Sequence, residues 1–141
     1  MKHIPSSLEL GYTLIRVALG IVLVVSGYNK LTSGSEHLTQ IGNAIGLFGI
    51  TSGYLGWGYT AALTEFLTGI SYISGFLTRL ASIPLIGFFI VAIKYHLNKG
   101  DSFSTWGFAF ICLSITLGVL IAGSGDYSLD FYKKKPKHKH E

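Results

Sequence analysis

Four long apolar blocks constrain this chain more than any other feature. They read YTLIRVALGIVLVVSGY at 12–28, WGYTAALTEFLTGISYISGFL at 57–77, LASIPLIGFFIVAIKYHL at 80–97 and FSTWGFAFICLSITLGVLIAG at 103–123. Each holds roughly 17 to 21 residues, the length at which a helix crosses a hydrocarbon layer about 30 Å thick. A helix satisfies its own backbone hydrogen bonds, which lipid cannot do. Charged residues make up 13% of the chain, about half the share of an ordinary soluble protein, so a soluble helical core is the weaker alternative. The prediction is an all-α, polytopic membrane four-helix bundle. It forms one domain over 1–132, with spans at 10–30, 57–77, 79–98 and 103–123.

The second and third spans, and the third and fourth, are joined by short links and must form antiparallel hairpins. The first link is longer. Within it, HLTQIGNAIGLFGI carries Leu38, Ile41, Ile45 and Phe48 at three- and four-residue steps, an amphipathic spacing on a piece too short to span. It predicts a long, partly helical loop between spans one and two, with a plain glycine-rich loop as the alternative. The lysines Lys133, Lys134, Lys135, Lys137 and Lys139 crowd the tail 133–141. Beside apolar blocks such a tail reads as a cytoplasmic topology signal and not as a nucleic-acid arm. Four spans then place both termini in the cytoplasm.

Several ionisable groups lie within or beside the spans. On a helical wheel Arg16, Gly20, Gly27 and Lys30 share one sector. Two basic groups and two small contact points on one face argue for a retained helix over a cleaved leader. Glu65 sits near the middle of span two, with Gly69 and Tyr72 on its side. A charge at that depth costs several kcal/mol and should face protein with a partner. Arg79 opens span three at one edge and His96 closes it at the other. Two readings stay open. These groups form one structural ion-pair set, or they line a polar pocket in which Glu65 and His96 exchange protons, with Arg16, Lys30, Tyr72 and Arg79 as its polar wall.

The turn GSGDYSLD at 123–130 follows the fourth block. Gly123 and Gly125 can end the helix and turn the chain. The turn, with Tyr127 and Ser128, brings Asp130 to the edge where Arg16 and Arg79 are expected, so Asp130 is predicted to clamp an arginine. Cys112 is the only cysteine, which excludes an internal disulfide and a CxxC metal or redox motif. No metal site and no covalently bound cofactor is expected. Haem is disfavoured, because only His96 lies in a span and His37 falls in the loop.

Taken in order, these elements resemble the DoxX family of small four-span membrane proteins. The residues that carry the resemblance are Arg16 with Gly20, SGYNKL at 26–31, Glu65 with Gly69, GFLTRL at 75–80, His96, and GSGDYSLD at 123–130. Ser26 stands where the family often has histidine, and Asp126 where it commonly has a basic residue. The resemblance implies a bacterial inner (plasma) membrane location and a small subunit of a quinone-linked oxidoreductase acting on thiosulfate or thiols. Quinone would then be its substrate, and a redox enzyme its partner beside lipids and further copies of the chain. The alternatives are a non-catalytic scaffold or assembly partner, and a small-solute or proton pathway. A quinone head needs donors such as Arg16, Lys30 or His96 beside aromatic walls, for which Phe66, Tyr72, Phe88 and Phe89 are candidates.

Overall fold

The computed structural model describes residues 7–134, with side chains to Phe131. The lysine tail predicted from 133 onward therefore lies outside the described residues, apart from the backbone of its first two positions. The architecture is all-α. Helix α1 covers Ser7–Thr32, α2 Ser35–Gly42, α3 Tyr54–Ser74, α4 Thr78–Asn98, α5 Phe103–Ala122 and α6 Leu129–Lys134. The predicted loop helix is realised as α2 continued by a 3-10 turn, Asn43–Phe48. Gly46 and Gly49 weaken a longer α-helix there, and Gly49 closes the segment in the left-handed region at φ 83°.

Helix α1 begins near Glu9 and ends near Lys30, charges that suit the helix dipole at each end. Helix α3 ends three residues before its apolar block does, because Gly75 adopts φ 69° and its N–H bonds back to the Ser71 carbonyl at 2.8 Å. Such a left-handed glycine is a common helix stop. Helix α4 contains Pro84, which removes one intrahelical hydrogen bond.

Glycine sets the packing of α1 on α3. A Cβ at Gly27 would lie 2.6 Å from the Phe66 nitrogen and 2.9 Å from the Ala62 carbonyl, and one at Gly69 would lie 2.7 Å from the Gly20 carbonyl. The two backbones thus run antiparallel in direct contact, as small residues allow in lipid. Helices α4 and α5 form a second antiparallel pair, α3 touches α4, and α2 lies on the start of α3. Between the pairs sit Leu19, Leu23, Tyr72, Leu85, Phe89, Cys112 and Val119. Tyr72 is fully buried, and its hydroxyl lies 2.7 Å from the Ser82 hydroxyl.

The outer surface is as apolar as the core. Leu14, Ile21, Leu67, Ile83, Phe108 and Ile111 are each more than half exposed. In water such a surface would aggregate; in a bilayer it meets acyl chains. Helices α1, α4 and α5 are long and apolar enough to cross a membrane, and the chain is an integral membrane protein. Helix α3, expected as the second span, has the same 21 residues as α4. Its threonines, serines, glycines and Glu65 leave it outside the set of helices that length and apolar content mark as spanning.

Candidate functional site

The polar groups separate into two clusters at opposite ends of the bundle. Arg16 and Lys30 are 14 residues apart on α1, about 20 Å at 1.5 Å per residue. The loop end carries Lys30, Glu65 and His96. The other end, where α1 begins and α5 finishes, carries Arg16, Arg79 and the 123–130 turn.

At the loop end, Glu65 is 3% exposed and Oε2 accepts from Lys30 Nζ at 2.5 Å and from Ser26 Oγ at 3.0 Å. The antiparallel glycine contact fixes this meeting, since it brings the end of α1 alongside the middle of α3. Lys30 also lies 4.9 Å from the centroid of the Phe88 ring, within cation–π range. Its outer side faces a cavity of about 630 Å³ between α2, the 3-10 turn, α3 and α4. Trp57, Phe88 and Tyr95 give the cavity aromatic walls, while Gln40, Thr60, Thr64 and His96 add polar groups among aliphatic ones. His96 Nδ1 lies 2.8 Å from Asp101 Oδ2. The 3-10 turn adds Ala44 and Ile45 to the cavity wall and is tied to α4 by Lys94, whose Nζ donates to the Leu47 carbonyl at 3.2 Å and sits 3.9 Å from the Phe48 ring centroid. Just past α4, the Lys99 ammonium is held above its ordinary pKa chiefly by a hydrogen bond to Tyr95.

At the other end, side chains of α1 and α4 bind main-chain carbonyls of the closing turn. Arg16, 1% exposed, donates through Nη1 to the Ser124 carbonyl and through Nη2 to the Tyr127 carbonyl, the latter at 2.8 Å. Tyr12 donates to the Gly123 carbonyl, and Arg79 Nη2 to the Ile121 carbonyl at 2.9 Å. These include carbonyls that a helix end leaves without partners. The expectation that Asp130 clamps an arginine is corrected here. Asp130 Oδ2 accepts instead from the Leu77 N–H at 2.9 Å and from Ser124 Oγ at 2.7 Å. Leu77 is the one described non-glycine residue at positive φ, 53°, and the carboxylate holds that strained turn. The arginines go to the carbonyls because the end of α5 presents several of them together. Ser128 completes the turn, donating to the Gly125 carbonyl at 2.7 Å and accepting from the Phe131 N–H at 3.1 Å.

The single ion-pair set considered from the sequence is therefore split in two. Lys30, Glu65 and His96 gather at the cavity end. Arg16 and Arg79 belong to the clasp with Gly123, Gly125, Tyr127, Ser128 and Asp130, and Tyr72 sits in the apolar layer between. Of the aromatic candidates Phe88 lines the cavity, whereas Tyr72 and Phe89 are core. Trp57, Thr60, Thr64 and Tyr95 went unnoticed in the sequence. The spacing of Trp57, Thr60 and Thr64 places them on one face of α3 and was the available signal. Among the described residues, no group of three or more His, Cys, Asp or Glu side chains could hold a metal ion.

No curated protein and no solved structure matches the chain. The DoxX family model matches residues 11–97, which takes in α1, the loop segment, α3 and nearly all of α4, and with them Arg16, Lys30, Glu65, Arg79 and His96. The glycine-contacted helix pair, the pairing of Lys30 with buried Glu65 and the apolar exterior thus belong to a member of the DoxX family.

Proposed function

We propose that the chain is a small membrane subunit of a quinone-linked oxidoreductase and that the cavity at the loop end holds the quinone ring. One observation carries this reading: an aromatic-walled cavity beside an ammonium group, Lys30, whose charge is balanced by buried Glu65. Trp57, Phe88 and Tyr95 suit the flat ring, and Lys30 is a hydrogen-bond donor to a ring oxygen. Reduction of the ring to quinol takes two electrons and two protons. The electrons come from a partner oxidising thiosulfate or a thiol. Lys30, with Glu65 balancing its charge, can pass one proton to one ring oxygen and recover it from water in the cavity, and His96, held by Asp101, can pass the second from water to the other ring oxygen.

In this reading α3 is the fourth span, the termini are cytoplasmic, and the membrane is the bacterial plasma membrane. Cysteines placed singly at Ser52 and Gly100 should then label from one side of the membrane, and one at Phe76 from the other. A solute or proton pathway has less support, because the apolar layer of Leu19, Leu23, Leu85, Phe89 and Val119 separates the two polar clusters.

The direct test is binding of a decyl-tailed benzoquinone to purified protein in nanodiscs, followed by quenching of Trp57 emission with Trp57→Phe as the control. Saturable quenching is expected. Lys30→Ala should weaken it about tenfold or more, the worth of a hydrogen bond from a charged donor. Quenching that never saturates refutes the proposal. If Lys30→Ala lowers only the amount of folded protein and leaves the affinity of the remainder unchanged, the scaffold reading replaces it.

A further inference from the structure

The cavity has a second feature, on its membrane side. A smaller depression of about 310 Å³ adjoins it between α3 and α4, and the two share Thr60, Thr64 and Pro84. Thr60 and Pro84 are exposed, so the shared rim lies at the surface of the bundle. Beyond that rim the depression runs past Leu63 and Leu67 on α3 and Ala81 on α4. From Thr60 to Leu67 it follows about two helical turns, roughly 10 Å.

Three observations explain why the seam is open here. Helices α3 and α4 touch less extensively than α1 with α3 or α4 with α5. Pro84 interrupts the α4 backbone at the rim, and a Cβ added at Gly87, the cavity residue one turn on, would meet nothing within 4 Å. Two of the three threonine hydroxyls along the groove are bonded to main-chain carbonyls: Thr60 donates to the Gly56 carbonyl at 2.9 Å and Thr68 to the Ala81 carbonyl at 3.2 Å, while Thr64 stands at the rim shared with the cavity. Beyond that rim Leu63, Leu67 and Ala81 make the groove largely apolar. At the loop end the 3-10 turn pinned by Lys94 adds Ala44 and Ile45 to the cavity wall.

We infer that the cavity takes a tailed amphiphile sideways from the bilayer, between α3 and α4, with the hydrocarbon tail of the quinone lying in the groove beyond Thr64 and Pro84. The inference rests on the quinone reading of the cavity and adds its entry route and the recognition of the tail. The occupant follows from continuity: a chain leaving a ring in the cavity through the shared rim enters this groove directly, and its far end reaches lipid without crossing water. Leu63 and Leu67 are thereby specificity residues for tailed against tail-less rings.

The test uses the full chain in nanodiscs and two probes, a methylated benzoquinone without a tail and the same ring carrying a decyl chain. Each is measured by its retention with the protein on a desalting column. Leu67→Trp, and Leu63→Trp as a second variant, fill the groove at positions that face lipid, so the fold should tolerate them; Leu117→Trp on α5 is the control. The expected result is about a tenfold loss for the decyl ring with unchanged binding of the tail-less ring, the scale of an overpacked contact. Equal effects on both probes, or none on either while Lys30→Ala still weakens both, overturn the groove assignment and leave the ring site standing. If neither probe is retained by the unaltered chain, the quinone reading fails and the groove assignment with it. A co-purifying phospholipid that the decyl ring cannot displace identifies the groove as a lipid seat and also overturns the inference.

Discussion

Lys30→Met removes the cation bonded to a buried carboxylate. Glu65 is 3% exposed and keeps Ser26 alone, at 3.0 Å, once the 2.5 Å bond to Lys30 is gone. Methionine preserves the aliphatic stem against Phe88, so the loss is chiefly electrostatic. Breaking a buried pair by deleting one partner costs about 3–5 kcal/mol, because the other charge is left uncompensated. Glu65→Gln should cost less, about 1–2 kcal/mol, because Lys30 has a side chain 23% exposed and can turn into the cavity. The double variant leaves no buried charge, and its cost should fall to about 1 kcal/mol. The coupling between the sites is then about 3–6 kcal/mol, well above the error of a double-mutant cycle. The assay is reversible unfolding in bicelles against added dodecyl sulfate, read by far-UV circular dichroism. A Lys30→Met variant within 1 kcal/mol of the unaltered protein, or two single effects that simply add, would refute the placement of a paired charge at this site.

Three further outcomes follow from the packing and the clasp. Gly27→Leu drives a side chain into the α3 backbone, where even a Cβ lies 2.6 Å from the Phe66 nitrogen; it should lose about 1–3 kcal/mol in the same unfolding assay. Arg16→Met frees the Ser124 and Tyr127 carbonyls, and should expose the chain after Gly123 to limited proteolysis. Arg16→Lys should rescue that only in part, since an ammonium lacks the planar fork that reaches both carbonyls. Leu77→Gly should be neutral or stabilising by up to about 1 kcal/mol, because it relieves φ 53° at a half-exposed side chain while adding freedom to the unfolded chain.

Helix periodicity made some of the site legible from sequence. Arg16, Gly20 and Gly27 fall in one sector of the wheel and all three are buried, the glycines against α3 and Arg16 under the closing turn. Glu65, Gly69 and Tyr72 likewise share the buried side of α3. The end of α3 was misjudged because an apolar run continues through Phe76 and Leu77, whereas Gly75 stops the helix by backbone conformation. The cavity wall was half seen: Phe88 stood out as an aromatic, but Trp57 and Tyr95 come from separate helices and form a wall only when α3 lies beside α4.

The amino-acid order alone determined that the chain is helical, membrane-embedded and studded with a few costly charges, because span length and apolar content are properties of one segment at a time. It did not determine which charge meets which. That depends on the register and direction of neighbouring helices, and Gly20, Gly27 and Gly69 set both by letting α1 and α3 touch backbone to backbone. In that register Lys30 falls beside Glu65, while Arg16 lands a bundle's length away among the carbonyls that close α5. The tertiary structure alone made one carboxylate a partner for lysine and sent both arginines to the main chain, since electrostatic pairing acts over a few ångströms of space and not along the sequence.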